Sequence, residues 1–153
     1  MPMEFARRPY PGGGALYELE LYVAVRACED LAAGFYRYDA LGHGLEPISG
    51  LTDNVGELLL GASHSTGIPG EQLQVLLIIA ARFQRFAWKY ESMAYAAILK
   101  NVGVLIQTMY LAATAMELAP CGIGSGDSDL FARCAGTDYY DETSIGEFLL
   151  GSL

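Results

Sequence analysis

Residues 73–90 read LQVLLIIAARFQRFAWKY. The first half, Leu73 to Ala81, is apolar almost throughout and shows no alternation, the pattern of a strand covered on both faces. Arg82 to Tyr90 then sets three cations among four aromatic rings. Stacking and cation–π contacts are open to such a segment. A lysine held among other cations and away from water can act as a base near neutral pH, and a neighbouring tyrosine hydroxyl can donate or relay a proton. The same composition also suits a strand end whose long side chains reach into solvent. Residue physics alone leaves both readings open.

On the N-terminal side, Arg7 to Gly14 reads RRPYPGGG, a loop whose consecutive glycines allow close approach or positive φ. Leu16 to Val25, LYELELYVAV, alternates Leu19, Leu21 and Val23 against Glu18, Glu20 and Tyr22, which predicts a strand. Gly34 to Ile48 holds two short alternating runs around a turn at Asp39 to Gly44 and predicts a hairpin. Thr52 to Leu60 predicts a short helix with Thr52 or Asp53 as N-cap.

On the C-terminal side, Tyr95 to Leu118 is apolar enough and long enough to resemble a membrane span. Lys100, Asn101 and Gln107 interrupt it, and no basic flank or aromatic belt accompanies it. It reads instead as the central helix of a core or a dimer interface. Pro120 to Gly126 is a strand or loop, Ser128 to Ala135 a short helix capped by Ser128 or Asp127, and Ile145 to Leu150 a last strand. Mixed strands and helices with hairpin-like neighbours favour an α+β fold in one domain over residues 1–153.

The chain has 153 residues, of which 52% are hydrophobic and 18% charged, so disorder is excluded. So apolar a sequence on so small a body predicts a surface buried against another subunit. The formal net charge of −9 and the lack of any Lys/Arg run argue against nucleic-acid binding. Late acidity at Asp127, Asp129, Asp138, Asp141, Glu142 and Glu147 reads as a solvated face rather than a metal site. Cys28, Cys121 and Cys134 lack CxxC spacing, which points to a reducing, cytoplasmic setting; no signal-peptide core precedes Tyr10.

Familiar chemical motifs are absent. Gly12 to Gly14 precede a strand and so fail the dinucleotide fingerprint. His43 and His64 are the only histidines, and neither accompanies a serine elbow. Cys121 to Asp129, CGIGSGDSD, places flexible backbone before a helix start, where N–H groups can meet an anion or an electron-rich ring edge. An ordinary loop would look the same.

Taken in order, RRPYPGGGALYELELYVAV, GFYRYDALGHGLE, ARFQRFAWKY, LKNVGVLIQTMYLAATAMELAPCGIGSGDSDLF and TSIGEFLLG resemble the SagB-type branch of the nitroreductase-like flavoproteins. That branch includes the cyanobactin and microcin azoline oxidases and the oxidase domains of nonribosomal assembly lines. The resemblance implies a nitroreductase-like fold, with a mostly antiparallel sheet, a long buried helix and FMN at a dimer interface. It also implies oxidation of a thiazoline or oxazoline in a peptide or carrier-bound substrate to the thiazole or oxazole. The family's Lys-Tyr pair maps onto Lys89 and Tyr90. Pro11, Gly12, Gly13 and Gly14 would lie against the isoalloxazine or ribityl chain, and Gly124, Ser125, Gly126 and Ser128 would meet the N5/O4 edge or the phosphate. Arg8 would be a phosphate or ribityl partner.

The family's N-terminal Arg-rich helices have no match here, so the chain is expected to be N-terminally short, as a truncated chain, a natural short form or half of a two-component enzyme. Two further readings stand beside the azoline oxidase. One is an NAD(P)H-dependent nitro or quinone reductase on the same fold. The other is a flavin-free scaffold subunit paired with a partner enzyme. No membrane or nucleic-acid partner is expected.

Overall fold

The computed structural model describes residues 8–153. Its centre is a six-stranded sheet in the order β3-β2-β1-β4-β6-β5. The strands are β1 (Leu19–Val25), β2 (Gly34–Asp39), β3 (Gly44–Gly50), β4 (Val75–Arg82), β5 (Leu118–Ile123) and β6 (Glu142–Ser152). Every neighbouring pair is antiparallel. The fold is α+β, as the sequence predicts.

Side chains alternate across the sheet and build a layer on each face. On one face Tyr22, Ala24, Phe35, Leu76, Ile78 and Ala80 pack against α1 (Asp53–Thr66) and α4 (Ser128–Ala135). On the other, Leu19, Ile79 and Ala81 pack beneath α2 (Phe83–Tyr90) and α3 (Ala94–Ala115). The unbroken apolar run of β4 thus has a helix layer on each side. Thr52 caps α1 by accepting a hydrogen bond from the Val55 amide, and Asp127 caps α4 through the Leu130 amide. Helix α1 runs past its expected end at Leu60 and stops at Gly67, whose φ of +73° ends it in a left-handed cap.

Three expectations need correction. Arg82 to Tyr90 is not a strand end: the chain turns into α2 directly after Arg82. Phe83, Phe86, Ala87 and Tyr90 recur at helical spacing and meet the core, while Arg85, Trp88 and Lys89 face outward. Second, the all-round burial expected of α3 is confined, within one chain, to a stripe of Ala94, Ile98, Asn101, Val102, Leu105 and Ala113. Met93, Tyr95, Leu99, Leu111 and Met116 remain exposed. Third, the late acidic residues are not all solvated. Glu142 is buried, accepting from the Tyr22 hydroxyl at 2.6 Å and from Arg82 Nε at 2.7 Å, and Glu147 is only 3% exposed.

Candidate functional site

The sequence-predicted residues collect at one end of the sheet, where β4 leaves for α2 and β5 leaves for the glycine turn at Gly124. They form two groups.

The first group surrounds Lys89 and Tyr90. Gly14 takes φ +60° beside them, and a Cβ added there would lie 2.6 Å from Lys89 Nζ and 3.0 Å from Tyr90 Oη. The loop is thus pressed against the pair, 75 residues apart in sequence for Gly14 and Lys89. A Cβ at Gly13 would come within 2.8 Å of the fully buried Phe86 ring. Phe86 stacks on Tyr90 with centroids 4.3 Å apart, and Lys89 Nζ sits 5.5 Å from the Tyr90 ring centroid. Lys89 itself is exposed, so water can be excluded from it only by a bound ligand or a second protein surface.

Backbone on both sides of the pair is held in uncommon conformations. Ala15 and Tyr17 have φ of +53° and +48°, and Glu91, immediately after Tyr90, has φ +47° with ψ −124°. Such non-glycine residues persist only where surrounding structure enforces them, and they concentrate at functional sites. Two polar residues that sequence reasoning missed anchor the loop. The Gly13 amide donates to Asn101 Oδ1 at 3.2 Å, and Asn101 Nδ2 donates to the buried Glu18 at 2.7 Å. The available signal was Asn101 itself, a lone amide inside an apolar helix.

Arg8 lies apart from this arrangement. Its guanidinium meets the Leu19 carbonyl, the Tyr10 hydroxyl at 3.3 Å and Glu20 at 3.8 Å. Glu20 is shared with Arg37, Arg82 and Arg85 at 3.4–3.6 Å. The cluster ties the N-terminal loop, β2, β4 and α2 to the start of β1. Pro11 is exposed, and Gly12 lies over the Tyr17 ring.

The second group is the turn Gly124–Gly126 with Ser128. It lines a cleft of about 280 Å³ together with Tyr95 and Leu99 of α3 and Ser144 to Glu147 of β6. Ser128 donates to the Ser144 carbonyl at 3.2 Å, and Ser125 pairs with Ser65 at 2.6 Å. A β-bulge at Ile145, between the pairs Ile79–Gly146 and Ala80–Ser144, shapes the wall of this cleft. A neighbouring cleft of about 340 Å³ runs between α1 and the same turn, lined by Glu57, His64, Ser65, Ser125, Asp127 and Glu147 among others. Gly124 has open space where a side chain would stand, so its backbone is accessible to a ligand.

These surroundings fit the ring edge of a flavin, which takes backbone N–H donors, but not its phosphate. Among the described residues neither cleft is lined by a Lys or Arg, and Asp127 would repel a dianion. Burial, with the Asp127 charge second, pushes the Glu147 carboxyl up to about 7. Neither cleft has a lining residue from the Lys89 group.

Comparison with known proteins follows the fold closely. A protein of Methanocaldococcus jannaschii designated a nitroreductase is 34% identical over 116 residues, 75% of this chain and 57% of its own length. The microcin B17-processing protein McbC of Escherichia coli is 30% identical over 116 residues, 73% of this chain and 42% of its own. The chain thus spans about half the length of the curated relatives it matches. Among solved structures, a nitroreductase-designated protein of Anabaena variabilis superimposes with a TM-score of 0.78 at 28% identity, covering 92% of this chain and 28% of that one. The E. coli microcin synthetase McbBCD complex with truncated pro-MccB17 bound gives 0.78 at 25% identity, covering 97% and 57%. The sequence profile of the nitroreductase family matches residues 3–151, and with the sheet and long helix of those structures present, this chain belongs to the nitroreductase family and has its fold.

Proposed function

We propose that this chain carries the FMN-dependent dehydrogenase centre of a SagB-type azoline oxidase, acting on a thiazoline or oxazoline in a peptide or carrier-bound peptide. The observation that supports this reading is the close approach of Gly14 to Lys89 and Tyr90, where a Cβ would stand 2.6 Å from Lys89 Nζ and 3.0 Å from Tyr90 Oη. Similarity to McbC, a microcin-processing protein, supports the choice of a peptide azoline.

Aromatising an azoline removes one proton and one hydride. Lys89 takes the ring proton, Tyr90 holds the pair in register through its stack on Phe86, and FMN supplies the two-electron acceptor. Gly12 to Gly14 with Pro11 would border the cofactor on the Lys89 side, and Gly124, Ser125, Gly126 and Ser128 would hold its ring edge. Arg8 is bound to Glu20 and to the start of β1, so cations for the phosphate come from elsewhere.

Neither cleft is lined by a residue of the Lys89 group, and in this reading the site is completed by a second copy or a related subunit. The exposed apolar face of α3 supplies the contact, and Tyr95 and Leu99 connect that face to the 280 Å³ cleft.

The test is incubation of flavin-loaded protein with a thiazoline peptide. The expected product is lighter by the mass of one H2, and Lys89→Ala abolishes it. Protein that takes up no flavin, or oxidises no azoline, refutes the reading. The nitroreductase designation of the M. jannaschii relative favours a second reading, reduction of nitro or quinone compounds by NAD(P)H. Equal loss of azoline oxidation and diaphorase activity in Lys89→Ala would support that alternative over a proton-abstraction role.

A further inference from the structure

Glu147 sits in the middle of β6 and pairs with Ile78 and Ile123, both in the core beneath α1 and α4. Its apolar neighbours offer its carboxyl nothing, and no group among the described residues hydrogen-bonds it. The residue is only 3% exposed, and so little contact with water disfavours the charged form of its carboxyl. The chain nevertheless makes room for it. Residue 126 is glycine, and a Cβ there would lie 2.7 Å from Glu147 Oε1. Glu147 and Gly126 together line both the 280 Å³ and the 340 Å³ clefts, so the carboxyl stands at the wall the two share.

We infer that Glu147 is a ligand-binding group, donating a hydrogen bond as a neutral acid to an acceptor on the edge of a planar heterocycle seated against Gly124 to Gly126. This rests on the flavin reading, for which the acceptors are the ring's carbonyl and imine edge. The charged and titratable groups that line the clefts with Glu147 are Asp127 from the turn, Glu57 and His64 from α1 and Tyr95 from α3; β4, β5 and α4 present Ile78, Ile123 and Leu130. Among the described residues no Lys or Arg lines the cleft to hold the carboxylate ionised. The upward shift of the carboxyl to about 7 is in accord with this setting. Once ionised, Glu147 offers a negative charge and lone pairs to a ring edge that is itself an acceptor, and the ligand is repelled.

The experiment is titration of the full chain with riboflavin and, separately, with FMN, followed by quenching of flavin fluorescence at several pH values. Riboflavin removes the ligand phosphate, whose own second ionisation falls near pH 6. Both flavins are expected to bind about tenfold more weakly at about pH 8 than at about pH 6. Glu147→Gln keeps a neutral donor and should bind both with no such dependence, while Glu147→Leu should bind weakly throughout. PH-independent riboflavin binding in the wild type overturns the role of Glu147 alone. Binding that strengthens with pH overturns it in favour of a cationic ligand. Absence of flavin binding in both wild type and Glu147→Gln at every pH overturns the flavin reading and this role with it.

Discussion

At the scale of single residues, the region after the Lys89–Tyr90 pair carries stored strain. Glu91 adopts φ +47° and ψ −124°, a region that only glycine occupies without penalty, and its side chain is exposed. Its amide still closes the helix on the Ala87 carbonyl, a bond a glycine would keep. Glu91→Gly should therefore stabilise the fold by about 1 kcal/mol, read as a higher denaturation midpoint. Glu147 makes the opposite case, where burial rather than backbone carries the cost. Its folded pKa of about 7 lies above the ordinary 4.5, so the folded chain holds the extra proton between those values. Stability from this group is thus fully present below about 4.5 and declines as pH rises through about 7, a total of about 3 kcal/mol at one pKa unit per 1.4 kcal/mol. Urea unfolding of wild type and Glu147→Gln should diverge as pH rises from about 4.5 to about 7, with the Gln chain the more stable by a constant margin above that, and converge below about pH 4.5. Parallel pH curves would show that the carboxyl is solvated and not at its buried position.

At the scale of elements, helix α2 decides where the proposed catalytic pair, Lys89 and Tyr90, stands. It is fixed by Phe86, which fills the space that Gly13 leaves open. Gly13→Ala would press a methyl within 2.8 Å of that buried ring, and overpacking of this kind costs about 1–3 kcal/mol. The expected outcome is a lower melting temperature together with slower azoline turnover, because displacement of Phe86 carries Tyr90 with it. Unchanged turnover in a folded variant would separate the loop from the pair. Most of the elements were legible in sequence because alternation, caps and turns are local signals: β1, the β2–β3 hairpin, the Thr52 cap and α4 all stand where the residues indicate. Helix α2 was not, because its cations and rings follow a buried strand without any capping residue; the N-cap position, Arg82, makes no side-chain cap bond. Its three- and four-residue aromatic spacing was there to be read. The roles of Asn101 and Glu147 were less accessible. A polar residue inside an apolar run reveals an oddity, but only long-range packing shows that Asn101 reaches Gly13 and that Glu147 lies against Gly126.

At the scale of the whole molecule, the sheet end and the two clefts explain why so apolar a chain presents a helix with one stripe buried. Helix α3 exposes Met93, Tyr95, Leu99, Leu111 and Met116, and a surface of that kind on a body this small marks a contact. Tyr95 and Leu99 also line the 280 Å³ cleft, so whatever covers α3 helps to close it. The same closure would take water from the exposed Lys89 only if the covering body brings its own Gly14 or turn residues near, as a two-fold arrangement of identical chains allows. A charge on the far part of the helix, away from the cleft, separates assembly from ligand contact. If two copies pair through α3, Leu111→Glu should convert that dimer to a monomer in sedimentation while leaving the helical content intact, because Leu111 is 64% exposed in the single chain. If the site is shared between copies, the monomer also loses flavin binding, by more than the tenfold that one lost contact of about 1.4 kcal/mol would produce. A monomeric Leu111→Glu chain that binds flavin as tightly as the parent would place the whole site within one copy.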